Sequence, residues 1–208
     1  SIPGESDSNL CLKAYHLIEK IYQIPPVHIH LHKVIPMGAG LGGGSSDGAF
    51  TLKILNEIFK LGLSSARLQE LAGQLGSDCP FFIENIPAIV RGTGDMFSEC
   101  PIDLSDKYLA IKNPGIHIST KEAYHNINPQ ASSPPIESIL SEPLTNWKMT
   151  LKNDFEKAVT AHHPEINQIK QELYNKGAIY ASMTGSGSTV YGIFDQSIDL
   201  SGYRTFAL

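Results

Sequence analysis

Between Pro36 and Gly44 five of nine residues are glycine, and the Ser45-Ser46-Asp47 that follows leads into Ala49, Leu52, Leu55 and Ile58-Phe59 at helical spacing. Ahead of the glycines, Val27, Ile29 and Leu31 alternate with His28, His30 and His32, which predicts a half-buried strand over Val27 to Val34. The unit therefore reads as strand, glycine loop, helix. Glycine and serine placed there leave several backbone N–H groups beside the positive end of a helix dipole, about half a unit charge, and phosphate binding is the chemistry this serves. The hydroxyls of Ser45 and Ser46 add donors and suit a Mg²⁺ ion brought in on a nucleotide. A turn that merely lets strand and helix pack closely needs fewer glycines.

Three phosphate or nucleophile patterns can be tried on this segment. The chain holds no Gly-Lys-Ser or Gly-Lys-Thr, so the Walker form fails. Gly38-Ala39-Gly40-Leu41-Gly42-Gly43 satisfies GxGxxG, but helix is followed by helix where a dinucleotide fold needs a second strand ending in an acid. Gly44-Ser45-Ser46-Asp47-Gly48 satisfies GxSxG with Ser46 as nucleophile, and Asp95 or Asp106 with His117 or His125 would complete a serine hydrolase triad in chain order. Against that alternative stands the long glycine loop, where a nucleophile elbow needs one tight turn.

Elsewhere, Asp7 and Ser8 are placed to cap a helix through Leu10, Ala14, Leu17, Ile18 and Ile21 that ends before Pro25-Pro26. A second helix from Ser64 or Ser65 carries Leu68, Leu71, Ala72 and Leu75 and stops at Gly76. Short extended pieces are expected at Phe81 to Ile83, Ala88 to Arg91 and Tyr108 to Ile111, and a long surface connection from Asn126 to Pro143. A helix from Pro164 to Lys176 closes at Gly177. Strands Ala178 to Met183 and Thr189 to Phe194 then flank a second glycine loop, Thr184-Gly185-Ser186-Gly187-Ser188, which reads either as a hairpin turn or as a further set of anion-binding donors.

Asp78 lies between a helix end and the apolar Phe81-Phe82, with Pro80 preventing continuation of the helix. Such a carboxylate can accept a proton from a hydroxyl, hold a cation, or simply form an Asx turn. His28, His30 and His32 have zinc-like spacing on one strand face, but with no Cys or acid nearby in sequence the outer face of a strand is the preferred reading, and no metal site is assigned. The balance of 16 Lys+Arg against 21 Asp+Glu, a formal charge of −5, argues against nucleic-acid binding through bulk positive charge. No apolar run approaches the roughly 20 residues of a membrane span, and the first residues show no signal-like pattern. Three scattered cysteines, Cys11, Cys79 and Cys100, indicate neither a disulfide framework nor a zinc site, and fit a reducing cytoplasm.

Two glycine motifs resemble those of the GHMP kinases, the superfamily of galactokinase and the homoserine, mevalonate and phosphomevalonate kinases. Pro36-Met37-Gly38-Ala39-Gly40-Leu41-Gly42-Gly43-Gly44-Ser45-Ser46 is similar to the family's PxxxGLGSS phosphate loop, and Thr184-Gly185-Ser186-Gly187 to its C-terminal glycine motif. The triple glycine before Ser45, the segment Gly76-Ser77-Asp78-Cys79-Pro80-Phe81-Phe82 and the segment Asn153-Asp154-Phe155-Glu156 most resemble the branch that phosphorylates a cytidine diphosphate-linked methylerythritol in the non-mevalonate isoprenoid route. Another small-alcohol kinase of the superfamily, of mevalonate or homoserine type, is the neighbouring alternative.

The resemblance implies an α+β, two-lobed fold with ATP and substrate bound between the lobes. The N-terminal lobe, residues 1–104, would be like domain 2 of ribosomal protein S5, and the C-terminal lobe, residues 105–208, ferredoxin-like, with the boundary near Pro101 to Asp106. It implies ATP with Mg²⁺, a small-molecule substrate, a cytoplasmic setting without membrane or nucleic acid, and allows a homodimer. By similarity Asp78 is the general base, the run Pro36 to Ser46 cradles the ATP phosphates, and Asn9, Leu10 and Lys33 approach the adenine. Thr120, Tyr124, Gly185, Ser186 and Gly187 fall on the substrate side. The family opens on a strand bearing a lysine that partners the catalytic aspartate, then a short substrate motif. Neither precedes Ser1, so the chain is expected to be N-terminally incomplete by a strand pair or more. It also departs from the family at Ser8, where an acid is usual, and at Gly48, where alanine is usual.

Overall fold

The computed structural model describes residues 8–125, 127 and 134–208. The chain divides into two compact units, the first made of residues 1–36 and 42–100, the second of residues 37–41 and 101–208.

In the first unit α1 (Leu10–Tyr22) packs along α2 (Gly43–Ile58), with α3 (Ser65–Gly73) and the single turn α4 (Phe81–Glu84) against them. The apolar stripes read from the sequence form its core, in which Ile18, Leu52 and Leu71 are fully buried. The cap of α1 differs from expectation. Asn9 supplies it, its Oδ1 accepting the Cys11 N–H at 2.9 Å, while Asp7 lies outside the described residues. Close approach of the two long helices explains the departure at Gly48, where a Cβ would lie 3.0 Å from that of Leu10. Ser64 caps α3 by accepting the Arg67 N–H. A hairpin of β1 (Ala88–Arg91) and β2 (Met96–Glu99) completes the unit.

Two local expectations fail. Residues 27–34 form no strand and pair with no other segment among the described residues, because alternation supplies a face but a strand also needs a neighbour to complete its ladder. Residues 81–83 are helical rather than extended. Pro80, at φ −58°, presets helical geometry, and Asn85, in the left-handed region at φ 55°, ends the turn.

The second unit is an antiparallel sheet in the order β4-β5-β3-β6, formed by β3 (Tyr108–Lys112), β4 (Tyr180–Met183), β5 (Val190–Phe194) and β6 (Arg204–Ala207). Helices α8 (Asp154–His162) and α9 (Pro164–Asn175), joined by α5 (Thr120–His125), cover one face through Val159, Ile166, Ile169 and Leu173 on Ala110, Ala181 and Val190. The other face carries α6 (Ile136–Leu140) and α7 (Trp147–Thr150), with the Trp147 ring edge-on to Tyr180 at 5.7 Å. The segment expected as a bare connection thus holds α6, whose Ile139 is buried; residues 126 and 128–133 of it lie outside the described residues. Helices and antiparallel sheets make up both units, the α+β class expected. No helix among the described residues is long and apolar enough to cross a membrane.

Candidate active site

The second half of the first glycine loop opens α2. Gly42, at φ 63°, is the N-cap and offers no side-chain cap, and the first helical bond runs from the Ser46 N–H to the Gly42 carbonyl at 2.9 Å. The N–H groups of Gly43, Gly44 and Ser45 therefore precede the hydrogen-bonded ladder and stand at the positive end of the helix. Their surroundings differ. A Cβ on Gly42 would lie 2.8 Å from the Phe82 ring, and one on Gly43 3.2 Å from the Lys33 ammonium, whereas one on Gly44 would meet nothing within 4 Å. Lys33 forms an ion pair with Asp47, which faces it from the second turn of α2. The start of α2 thus combines three backbone donors outside the helical ladder, open space at Gly44 and the Lys33–Asp47 pair beside Gly43.

Asp78 stands exposed on the turn between α3 and α4, and two contacts fix that turn. Burial pushes the Cys79 thiol up, and Ser45 beside it opposes this to a smaller degree. This places the residue after Asp78 against the first turn of α2. On the other side Gly94, at φ 90° in the β1-β2 turn, lies so close that a Cβ would stand 1.9 Å from the Ser77 carbonyl oxygen. The role of Gly94 was invisible in the sequence, because Ser77 lies 17 residues away in the chain.

The first half of the loop, residues 37–41, is fastened within the second unit. The Ala39 carbonyl accepts the Thr189 N–H at 3.1 Å, and the Gly40 carbonyl accepts the Thr184 hydroxyl at 3.0 Å. Gly40, at φ 71°, comes so close that a Cβ would lie 2.2 Å from the Thr184 carbonyl oxygen; at Gly38 it would lie 2.1 Å from the His117 ring. The two glycine loops interlock, backbone on backbone. From the start of α8 Asn153 holds the second loop, its amide donating to the Met183 and Gly185 carbonyls, each at 2.8 Å.

Pro36 and Met37 are exposed, Ala39 is buried, and Leu41 and Ser46 are half-buried. Asn9 is engaged as the α1 cap and Leu10 in the contact with α2. Tyr124 is exposed and edge-on to Phe155 at 5.0 Å. Ser186 is half-buried and Gly187 buried. Thr120 begins α5, its side chain outside the described residues.

The hydrolase alternative finds no support. Ser46 sits within α2 rather than at a strand-to-helix elbow, with its N–H already bonded. The Thr93 backbone and hydroxyl hold the Asp95 carboxyl below its usual range, and Asp106 pairs with Lys107 at 2.7 Å. The His125 side chain lies outside the described residues. Nor, among the described residues, do His28, His30 and His32 join any group of three or more His, Cys, Asp or Glu suited to a metal.

Residues 9–92 match the family model of the GHMP kinase N-terminal domain and residues 137–200 that of the GHMP kinase C-terminal domain. The chain is 53% identical over 196 residues to a 4-diphosphocytidyl-2-C-methyl-D-erythritol kinase of Cytophaga hutchinsonii, covering 94% of this chain and 73% of the relative. To the kinase of the same name from Bacteroides thetaiotaomicron it is 49% identical, covering 93% and 71%. Among solved structures, a 4-(cytidine 5'-diphospho)-2C-methyl-D-erythritol kinase superimposes with a TM-score of 0.74 at 30% identity, covering 92% of this chain and 70% of the other. A homoserine kinase from Cytophaga hutchinsonii gives 0.71 at 17% identity, covering 92% and 68%, a likeness of fold alone.

Proposed function

The chain belongs to the GHMP kinase family, and from that premise we propose that it transfers the γ-phosphoryl group of ATP to the 2-hydroxyl of 4-diphosphocytidyl-2-C-methyl-D-erythritol, a step of the non-mevalonate isoprenoid route. The observation that carries this reading is the open start of α2, without a side-chain cap, with the ring of Phe82, four residues beyond Asp78, packed against Gly42. Identity of 49–53% to relatives named for this reaction supports it over the homoserine- and mevalonate-type alternatives.

Phosphoryl transfer asks for positioning and charge neutralisation more than for covalent chemistry. In this reading the N–H groups of Gly43, Gly44 and Ser45 receive phosphate oxygens at the positive end of α2. Asp78 takes the proton of the acceptor hydroxyl as its oxygen bonds to the γ-phosphorus, while the bond from that phosphorus to the β-phosphate bridging oxygen breaks and ADP departs. Residues 37–41 continue the phosphate cradle, with Asn9, Leu10 and Lys33 toward the adenine, and Thr120, Tyr124 and Gly185 to Gly187 toward the second substrate. Mg²⁺ would arrive as nucleotide-borne charge and neutralise the transferred phosphoryl group, and the Ser45 or Ser46 hydroxyl would be the protein ligand that holds it. The setting is the cytoplasm, with no nucleic acid or membrane required, and a homodimer is the assembly to test by light scattering.

The test is ADP release by the full-length protein with diphosphocytidyl methylerythritol, mevalonate and homoserine as separate acceptors, repeated with Asp78→Asn. Turnover is expected with the first acceptor only, falling by about a hundredfold or more in the variant. Because Asp78 is exposed, the variant's circular dichroism and melting should match the parent. Turnover that survives in Asp78→Asn removes the base assignment, and absence of turnover with every acceptor removes the reaction.

A further inference from the structure

Asn153 is more than a helix cap. Its Oδ1 caps α8 by accepting the Phe155 N–H at 2.9 Å, a task that Asp, Ser or Thr performs equally well. What only the amide supplies is the NH₂ group, and both of its bonds go to the strand end and loop beyond it, to the Met183 and Gly185 carbonyls. Three residues on, Glu156 occupies the position from which a capping-box acid reaches back to the N-cap N–H. Its Oε1 instead accepts the Met183 N–H at 2.7 Å and the Ser182 hydroxyl at 3.0 Å, while Oε2 pairs with Lys170 at 2.5 Å. One helical turn therefore directs an amide and a carboxylate onto residues 182–185, where β4 runs into the second glycine loop.

We propose that Asn153 and Glu156 are positioning residues that set the second glycine loop in its ligand-binding shape and so govern affinity for the diphosphate of the second substrate. In a planar trans peptide the carbonyl and the following N–H point in opposite directions. Anchoring the Gly185 carbonyl on Asn153 thus aims the Ser186 N–H away from α8, as a fixed donor for an anion. Without the anchor, Gly185 and Gly187, both at positive φ, leave that peptide free to rotate. The inference deepens the kinase reading and rests on it for the identity of the ligand.

Asn153→Asp is the discriminating substitution. It keeps the capping oxygen and replaces the two donated bonds by a carboxylate facing two carbonyl oxygens. Asn153→Ser removes the donors without adding charge and serves if the first variant does not fold. In the full-length protein either variant should raise KM for diphosphocytidyl methylerythritol about tenfold, the effect of losing two ordinary hydrogen bonds, while KM for ATP moves less than threefold. Glu156→Gln, which keeps an acceptor for the Met183 N–H, should retain more of the affinity than Glu156→Ala. Amide hydrogen exchange provides a readout independent of turnover, with residues 184–188 expected to exchange at least tenfold faster in Asn153→Asp while α9 is unchanged. An unchanged loop exchange rate, or unchanged KM values with only a lowered melting temperature, would overturn the proposal and leave Asn153 as a cap. If the parent itself shows no turnover, the kinase reading fails, and loop exchange together with calorimetric titration of cytidine diphosphate into parent and variant still decides the anchor.

Discussion

Gly40 and Gly62 adopt nearly the same backbone, at φ 71° and 66°, yet only one is enclosed. A Cβ at Gly62 would meet nothing within 4 Å, whereas at Gly40 it would stand 2.2 Å from the Thr184 carbonyl oxygen and 2.7 Å from that of Gly187. Alanine at either site incurs the left-handed penalty, roughly 1–2 kcal/mol, but at Gly40 it must also drive the two glycine loops apart. Gly40→Ala is therefore expected to lower the melting temperature by several degrees more than Gly62→Ala, and to accelerate amide exchange at Thr189, whose N–H is held by the Ala39 carbonyl. Equal melting shifts for the two variants would show that the loops are not in tight contact. Asp78 marks the other extreme of the residue scale, an exposed side chain on a turn that Cys79 and Gly94 hold from either side, so its replacement should cost turnover and not stability.

Strand β4 lies at the edge of its sheet and has its free side closed by side chains. The Ala181 N–H donates to the Tyr174 hydroxyl at 3.1 Å and the Met183 N–H to Glu156, which leaves little ladder for another chain to join. On the same strand burial pushes the Tyr180 hydroxyl up to about 12, and burial likewise raises Tyr191, its ring neighbour on β5. Raised tyrosines leave stability unaffected below the unfolded value near pH 10. Between about pH 10 and 12 the unfolded chain releases protons that the native sheet retains, so stability falls by about 1.4 kcal/mol per pH unit for each such tyrosine. Urea titrations across that window should show the decline, shallower in Tyr180→Phe, and tyrosinate absorbance of the native protein should lag behind that of the unfolded chain. An identical slope in Tyr180→Phe would mean that this ring ionises freely. Elements such as these were legible where the period was clear and the packing local: α1, α2, α3, α9, β4 and β5 all stand where their apolar spacing put them. The residues at 27–34 show the limit, since alternation without a ladder partner makes no strand. α8 and β6 were not foreseen: α8 has one fully buried apolar residue, Val159, and β6 is exposed along its whole length, so neither carries a strong stripe.

At the scale of the whole molecule, each unit carries its candidate residues at element ends and loops, and the sequence disclosed those parts whose chemistry is local. The glycine runs were readable because only glycine tolerates both positive φ and backbone approach. The second-unit docking of residues 37–41, the grip of Gly94 on Ser77 and the double use of Asn153 were not readable, because each depends on a partner distant in the chain: Thr184 and Thr189, Ser77, and Met183 with Gly185. Function is also set against stability here, and Gly44 is where the two can be separated. It lies in the first turn of α2, where glycine is a poorer helix former than alanine by up to about 1 kcal/mol, and a Cβ there meets nothing within 4 Å. Packing alone would favour alanine. The glycine is explained if a ligand occupies that space and needs the backbone uncovered. Gly44→Ala should therefore raise the melting temperature of the nucleotide-free protein by roughly 1–3 °C and raise KM for ATP about tenfold, with KM for the second substrate little changed. A stabilised variant with unaltered KM for ATP would place the phosphates elsewhere than at the start of α2, and a destabilised one would show that this space is filled by the protein itself.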